Sequence, residues 1–281
     1  MLNRNPLLDF ITYLVLAIGV LIVGLPIWIT FVASTQTAEE VMHAPMSLLP
    51  GGHLIENYRH VLGAGAGNTS APVSRMLFNS LVTGLVVAIG KIAISIVSAF
   101  ALIYFRFPFK GLAFWLIFIT LMLPVEVRIM PTYQVMSDLH LINSYTGLTL
   151  PLIASATATF LFRQFFMTVP EELTEAARID GAGPMRFFWH ILLPLSRTNI
   201  AALFVILFVF GWNQYLWPLL VTTEEAMYPV VIGIRSMISA GDAATDWNYV
   251  MATAMLAMIP PVLVVVLMQR WFVKGLVESD K

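Results

Sequence analysis

The chain has no cysteine in 281 residues, so disulfides, thiolate metal sites and a cysteine nucleophile are excluded. Charge is also scarce. Asp, Glu, Lys and Arg make up 11% of the residues against 59% apolar, and mean hydropathy is +0.84, which excludes an ordinary water-soluble domain. The formal net charge of -1 lacks the cationic excess that binding a phosphate backbone requires, so no nucleic acid partner is expected. What the sequence has instead is long apolar runs, and the bilayer is the expected solvent.

Crossing about 30 Å of hydrocarbon takes roughly 20 helical residues. Windows 10–33, 148–162, 200–221 and 250–268 are free of charge, and 77–103 contains only Lys91. A sixth window runs from Leu112 towards Tyr133 but meets Glu126 and Arg128 after Val125, so its outer end is expected to be irregular. The first window is too long for a signal peptide and no Ala-x-Ala site follows it; it is read as a retained helix, kinked at Pro26. The expected fold class is therefore all-α: a polytopic membrane protein with six transmembrane helices in one domain, 1–281.

Basic residues orient the chain. Arg4, Arg106, Lys110, Arg163, Arg178, Arg186, Arg197, Arg270, Lys274 and Lys281 fall on one side, and Arg59, Arg75, Arg128 and Arg235 on the other. Both termini are then cytoplasmic, with an outer, periplasmic loop at 34–75 and an inner loop at 163–199. The outer loop carries Pro45, Pro50, Gly51, Gly52 and the run Gly63-Ala64-Gly65-Ala66-Gly67, and is expected to be a surface excursion rich in turns. Its Asn68-Thr69-Ser70 triplet matches a glycosylation site, for which no use is expected in a chain of bacterial appearance. No internal repeat is evident, which counts against a carrier built from two inverted halves.

The inner loop is the most informative segment. Thr168-Val169-Pro170-Glu171 has the form of a capping box, predicting a helix through Asp180 that Gly181 stops. Gly183-Pro184 opens a second helix through Ile191, and Pro194 leads into the next span. Two short helices at a glycine corner form an elbow in water, although helix signals alone fit a plain connector equally well. Glu175 and Arg178 are spaced to pair on one face, and Ala176 and Ala177 permit close approach of a partner.

Spacing decides between the two. Glu175-Ala176-Ala177, three residues, Gly181, nine residues, Ile191, one residue and Leu193-Pro194 reproduces the EAA motif, and the chain resembles the permease subunits of bacterial ABC importers. The likeness runs through Asn79-Ser80, Ala99-Phe100-Ala101-Leu102 before Arg106-Phe107-Pro108, Trp212-Asn213 with Pro218-Leu219, and Gln269-Arg270-Trp271-Phe272-Val273-Lys274-Gly275-Leu276, which are similar to the carbohydrate-type permeases. The stretch from Thr120 to Arg128, and Gly147-Leu148-Thr149-Leu150-Pro151 through Gln164-Phe165-Phe166-Met167, resembles the permeases for sn-glycerol 3-phosphate.

That resemblance implies a type I importer permease of the bacterial inner membrane. It implies a cytoplasmic coupling-helix elbow between spans 4 and 5 that enters a groove of the ATPase, with Glu175, Ala176, Ala177, Asp180, Gly181, Ile191 and Pro194 as the coupling residues. The implied partners are a second permease subunit, a cytoplasmic ATPase dimer and a periplasmic solute-binding protein, all of the glycerol-phosphate type. This chain is expected to bind no cofactor and to catalyse nothing; ATP and Mg belong to the partner ATPase. The implied solute is sn-glycerol 3-phosphate, followed by its phosphodiesters, with a neutral oligosaccharide such as maltose as the alternative. Candidates for the solute path are Lys91, Glu126, Arg128, Trp212, Asn213 and Gln214: the cations suit a phosphate, although a structural pair of Glu126 with Arg128, a neutralised Lys91 and plain core packing of Trp212 are equally open.

Two other classes are weighed: an independent secondary carrier and a lipid-headgroup enzyme. Gly84 to Gly90-Lys91-Ile92 misses the phosphate-loop pattern in glycine spacing and in the final Ser or Thr. Arg178-Ile179-Asp180-Gly181-Ala182 lacks the second aspartate cluster of phosphatidyl transferases. His43, His53, His60, His140 and His190 have no metal-ligand spacing and are read as loop residues.

Overall fold

The structure is a computed structural model that describes residues 6–65, 69–120, 125–238 and 245–277. In chain order the helices are α1 (Pro6–Ser34), α2 (Ala38–Met42), α3 (Leu54–Ala64), α4 (Val73–Tyr104), α5 (Lys110–Ile119), α6 (Val125–Asp138), α7 (Tyr145–Thr149), α8 (Ala156–Met167), α9 (Glu171–Ile179), α10 (Pro184–Phe187), α11 (Leu193–Leu195), α12 (Arg197–Trp212), α13 (Leu216–Val221), α14 (Val230–Met237) and α15 (Trp247–Val277). Tight turns occupy Leu150–Leu152 and Glu225–Met227, and a wide π turn occupies Phe188–Leu192. No strand occurs among the described residues.

Among the described residues three helices are long and apolar enough to cross a membrane: Leu7–Ser34, Val73–Tyr104 and Trp247–Arg270. Two bent pairs bring the number to five, and α5 is a shorter apolar helix. Window 112–133 divides into α5 and α6, with 121–124 outside the described residues. Window 148–162 is broken: Tyr145–Leu152 and Ala156–Met167 meet at 47°. The cause is local, because Pro151 has no N–H to continue the helix, and the Ser155 hydroxyl accepts the Ala158 N–H and starts α8 afresh. Window 200–221 divides in the same way into α12 and α13.

The chain forms two compact units. The first comprises Met1–Arg75 and Gly233–Met258. Helix α1 runs through Pro26 without a break, and its apolar side chains are exposed nearly all round, Val20 and Leu21 at 71% each, a surface that only lipid or another apolar helix can cover. Beyond α1 the chain runs through bends and two short helices, mostly exposed, and is anchored at a few buried polar residues. Ser34, Thr35, Gln36 and Asn57 are buried, and the Asn57 amide donates to the Ser34 and Gln36 carbonyls, both at 2.9 Å. The Gly51 N–H donates to the Thr35 hydroxyl at 2.7 Å, where a Cβ on Gly51 would stand 2.5 Å from the Thr35 carbonyl oxygen. Asn248 donates to Asn57 at 3.2 Å, and His60 stacks on Tyr249 at 4.5 Å. Asn68 lies outside the described residues.

The second unit comprises Met76–Ile232 and Ile259–Lys281. Its core gathers Val87, Ile129, Met136, Leu148, Trp217 and Val221. Two polar residues at the start of α4 organise the segment before α14: the Asn79 amide donates to the Ala226 and Tyr228 carbonyls at 2.9 and 3.0 Å, and the Val230 N–H donates to the Ser80 hydroxyl at 2.8 Å. The Tyr145 hydroxyl donates to the Asn79 carbonyl oxygen at 2.8 Å, so one buried amide satisfies three partners from two other segments.

Candidate functional site

The elbow starts where Pro170 leaves helix α8. The capping box expected at Thr168 does not form: Pro170 is the N-cap, without a side-chain bond, and the Thr168 hydroxyl donates back to the Phe165 carbonyl at 2.7 Å. The local alternative wins because Thr168 already closes α8. Glu171 and Glu172 in the first turn of α9, and Arg178 in its last, complement the helix dipole.

The C-terminal corner follows the glycine. Gly181 has φ +69°, its N–H donates to the Arg178 carbonyl at 3.0 Å, and the Ala182 N–H donates to the Ala177 carbonyl at 2.8 Å. These two bonds make a Schellman motif, which satisfies carbonyls that the helix end leaves open and turns the chain sharply. No atom lies within 4 Å of a Cβ built on Gly181, so its requirement is the backbone angle and not space.

From Pro184 the chain is helical to Leu195, but through the π turn at Phe188–Leu192. Pro194 has no N–H for the His190 carbonyl, and its ring crowds that carbonyl; widening the turn relieves both. Pro194 therefore lies inside the helix, and the break falls at buried Ser196, whose hydroxyl donates to the Leu192 carbonyl at 2.6 Å. Across it Pro184–Leu195 and Arg197–Trp212 meet at 70°.

Glu175, Ala176, Asp180 and Gly181 are exposed, Ile191 and Pro194 are half-buried, and Ala177 is buried. Glu175 and Arg178 form no ion pair. Ala177 borders a cavity of about 110 Å³ with Phe100, Tyr104, Arg178 and Phe187. Tyr104 of α4 meets Phe187 at 5.2 Å and Phe166 of α8 at 6.2 Å, and Phe100 meets Phe188 at 4.9 Å. On the outer side, Ile179 is 86% exposed, with Met185 and Trp189 also bare. The elbow thus packs on α4 through Phe187 and Phe188 and leaves Ile179, Met185 and Trp189 exposed.

A second feature lies within α4. Lys91 is buried, 8% exposed, and its ammonium lies 3.9 Å from the centre of the Phe210 ring of α12. Arg128 is exposed, and the Glu126 side chain lies outside the described residues. Trp212 is buried at 2%, packed on Phe208 at 5.8 Å. Asn213 is exposed at the end of α12, and Gln214 is half-buried, its amide donating to the Phe210 carbonyl at 3.1 Å. The structure thus places Lys91 on Phe210 and gives Trp212 a packing environment. Phe210 and the Tyr104–Phe187 contact carry no sequence signal, because an aromatic in an apolar run reads equally as lipid-facing.

Residues 91–278 match the family described as binding-protein-dependent transport system inner membrane component, and the chain belongs to that family of multi-pass membrane permeases. It is 60% identical to the sn-glycerol-3-phosphate transport system permease protein UgpE of Brucella melitensis biotype 1, and 61% identical to that of Agrobacterium fabrum, each over 100% of both chains. The protein of the same name from Yersinia enterocolitica is 60% identical, again over both full lengths. Among solved structures, a bacterial ABC transporter involved in the import of the acidic polysaccharide alginate superposes with TM-score 0.81 at 20% identity, covering 97% of this chain and 99% of that one. At that identity the likeness concerns the fold.

Proposed function

We propose that the chain is a transmembrane permease subunit of an ABC importer that carries sn-glycerol 3-phosphate, and secondarily its phosphodiesters, across the bacterial inner membrane. The observation that carries the substrate is full-length identity of about 60% to relatives named for that solute, with no part of either chain left over. The chain spans the membrane six times with both termini cytoplasmic, α5 and α6 together making the third span. It works with a second permease subunit, a cytoplasmic ATPase dimer that holds ATP and Mg, and a periplasmic solute-binding protein.

The elbow supplies the mechanical link. Its exposed apolar side chains, Ile179, Met185 and Trp189, suit contact with a partner, where burying each large side chain contributes about 1.5–3 kcal/mol. The elbow is packed on α4 through Tyr104 and Phe100, and it continues into α12 through the bend at Ser196. Closure of the ATPase then moves the elbow as a body and rotates the attached spans, opening the path to one side at a time. Glu175 and Asp180 line the elbow for contact with the ATPase; Gly181 sets its angle, and Ile191 and Pro194 set the wide turn that leads to the bend.

The test is purification of this chain with an affinity tag from cells carrying the other three components. Stable recovery with the ATPase, lost on replacing Ile179 and Trp189 by Asp, supports the coupling role. Solute uptake by the chain alone would contradict it in favour of an independent carrier.

A further inference from the structure

We infer that Lys91 recognises the phosphate group of the transported solute, and that the face of Phe210 holds its ammonium in position until the solute arrives. The inference rests on the phosphate-ester reading of the substrate and adds the residue that reads the phosphate.

The first ground is a buried cation with no hydrogen-bonded anion among the described residues. Lys91 is 92% removed from solvent, yet α4, α8, α12 and α13 contain no Asp or Glu; the acids of α6 are Glu126, whose side chain lies outside the described residues, and Asp138, which accepts from Gln134 at 2.8 Å. An ammonium has three donors. Among the described residues it donates no hydrogen bond, and its contact is the Phe210 ring, which offers electrostatic attraction but no strong acceptor. Nor is the tip sealed, since the fully enclosed side-chain polar atoms without partners are Gln36 Oε1 and Asn248 Oδ1. A structural lysine would have its donors filled. This one presents them, and an ionisable group inside a membrane span marks a functional site by default.

The second ground is the setting. Gly90, next to Lys91, is packed so tightly that a Cβ there would stand 2.8 Å from Ile153 Cγ2. Ile153 opens the break between Tyr145–Leu152 and Ala156–Met167. Broken helices in transporters line solute sites near the middle of the bilayer. A phosphate monoester carries up to two negative charges and several acceptor oxygens, so it balances the buried charge and fills the donors at once. A neutral sugar offers hydroxyl acceptors but no charge.

The experiment uses the full complex in proteoliposomes, with the loaded solute-binding protein outside and ATP within, and measures uptake of labelled sn-glycerol 3-phosphate. Lys91→Met is expected to lower kcat/KM for uptake on the order of 100-fold, the loss of charge-assisted hydrogen bonds, with assembly and receptor-stimulated ATP hydrolysis intact. Lys91→Arg, which keeps the charge, is expected to recover most of the transport. Wild-type uptake by Lys91→Met would overturn the inference and leave the substrate reading standing. Failure of Lys91→Met to assemble with the second permease subunit would overturn it by assigning the lysine to an ion pair across that interface. Restoration of uptake in Lys91→Met/Glu126→Gln would overturn it by assigning the lysine to a pair within the chain. A wild-type complex that takes up no glycerol 3-phosphate overturns the substrate reading and this inference with it.

Discussion

Gly211 of α12 lies against Gly84 of α4 so closely that a Cβ on Gly211 would stand 3.0 Å from the Gly84 Cα and 3.3 Å from Val87 Cβ. Small residues let helix backbones approach in lipid, where packing replaces the hydrophobic effect as the source of association. Gly211→Leu is therefore expected to lower stability by about 1–3 kcal/mol through overpacking, read as a fall in the thermal denaturation midpoint in nanodiscs. Gly24→Leu in α1, where nothing lies within 4 Å, is the contrast and is expected to leave the midpoint in place. Equal effects of the two would remove the close contact from the account of how α4 and α12 are held.

Asn79 joins α4 to Tyr145 and to the Ala226 and Tyr228 carbonyls. Asn79→Leu leaves these partners unsatisfied in a buried site, and is expected to cost at least about 2 kcal/mol, again read by denaturation. Ser80→Ala, which deprives the Val230 N–H of its acceptor, is expected to cost about 1 kcal/mol. A stable Asn79→Leu variant would mean that the segment before α14 is held by apolar packing instead.

Gly181 separates backbone angle from space. With φ +69° and open surroundings, Gly181→Asn is expected to retain most transport because asparagine tolerates the left-handed region, whereas Gly181→Val strains the corner by about 1–2 kcal/mol or displaces the elbow. The readout is ATP hydrolysed per solute imported, expected to rise in Gly181→Val at near-normal expression. A normal ratio in that variant would contradict the role of the corner in coupling.

The apolar windows carried the all-helical apolar fold into view, and Gly181 the corner at its positive φ, whereas windows 112–133, 148–162 and 200–221 divide into shorter helices. What stayed hidden depends on partners distant in sequence. Asn57 reads as an ordinary loop residue, yet it is buried among Ser34, Gln36 and Asn248. Asn79-Ser80 stood out only as part of a resemblance, and its bonds to residues 226–230 give the physical cause. The π turn before Pro194 was legible in principle, since proline removes a donor, but sequence does not say whether a helix breaks or widens there. Lys91 announced itself as a charge in a span; Phe210, which holds it, did not.

The sidedness expected from the basic residues is tested by reporter fusions. A fusion after Lys281 is expected to be active as a cytoplasmic reporter, and one within Gly63-Ala64-Gly65-Ala66-Gly67 as a periplasmic reporter. Both on the same side of the membrane would contradict six spans.

The most direct test of the central claim is uptake by the reconstituted four-component complex, comparing labelled sn-glycerol 3-phosphate with glycerol and maltose, each with its own loaded solute-binding protein. The expected result is accumulation of glycerol 3-phosphate that requires ATP and the ATPase, with little of either neutral solute. Preferential uptake of maltose, or uptake of glycerol 3-phosphate without the ATPase, would contradict it.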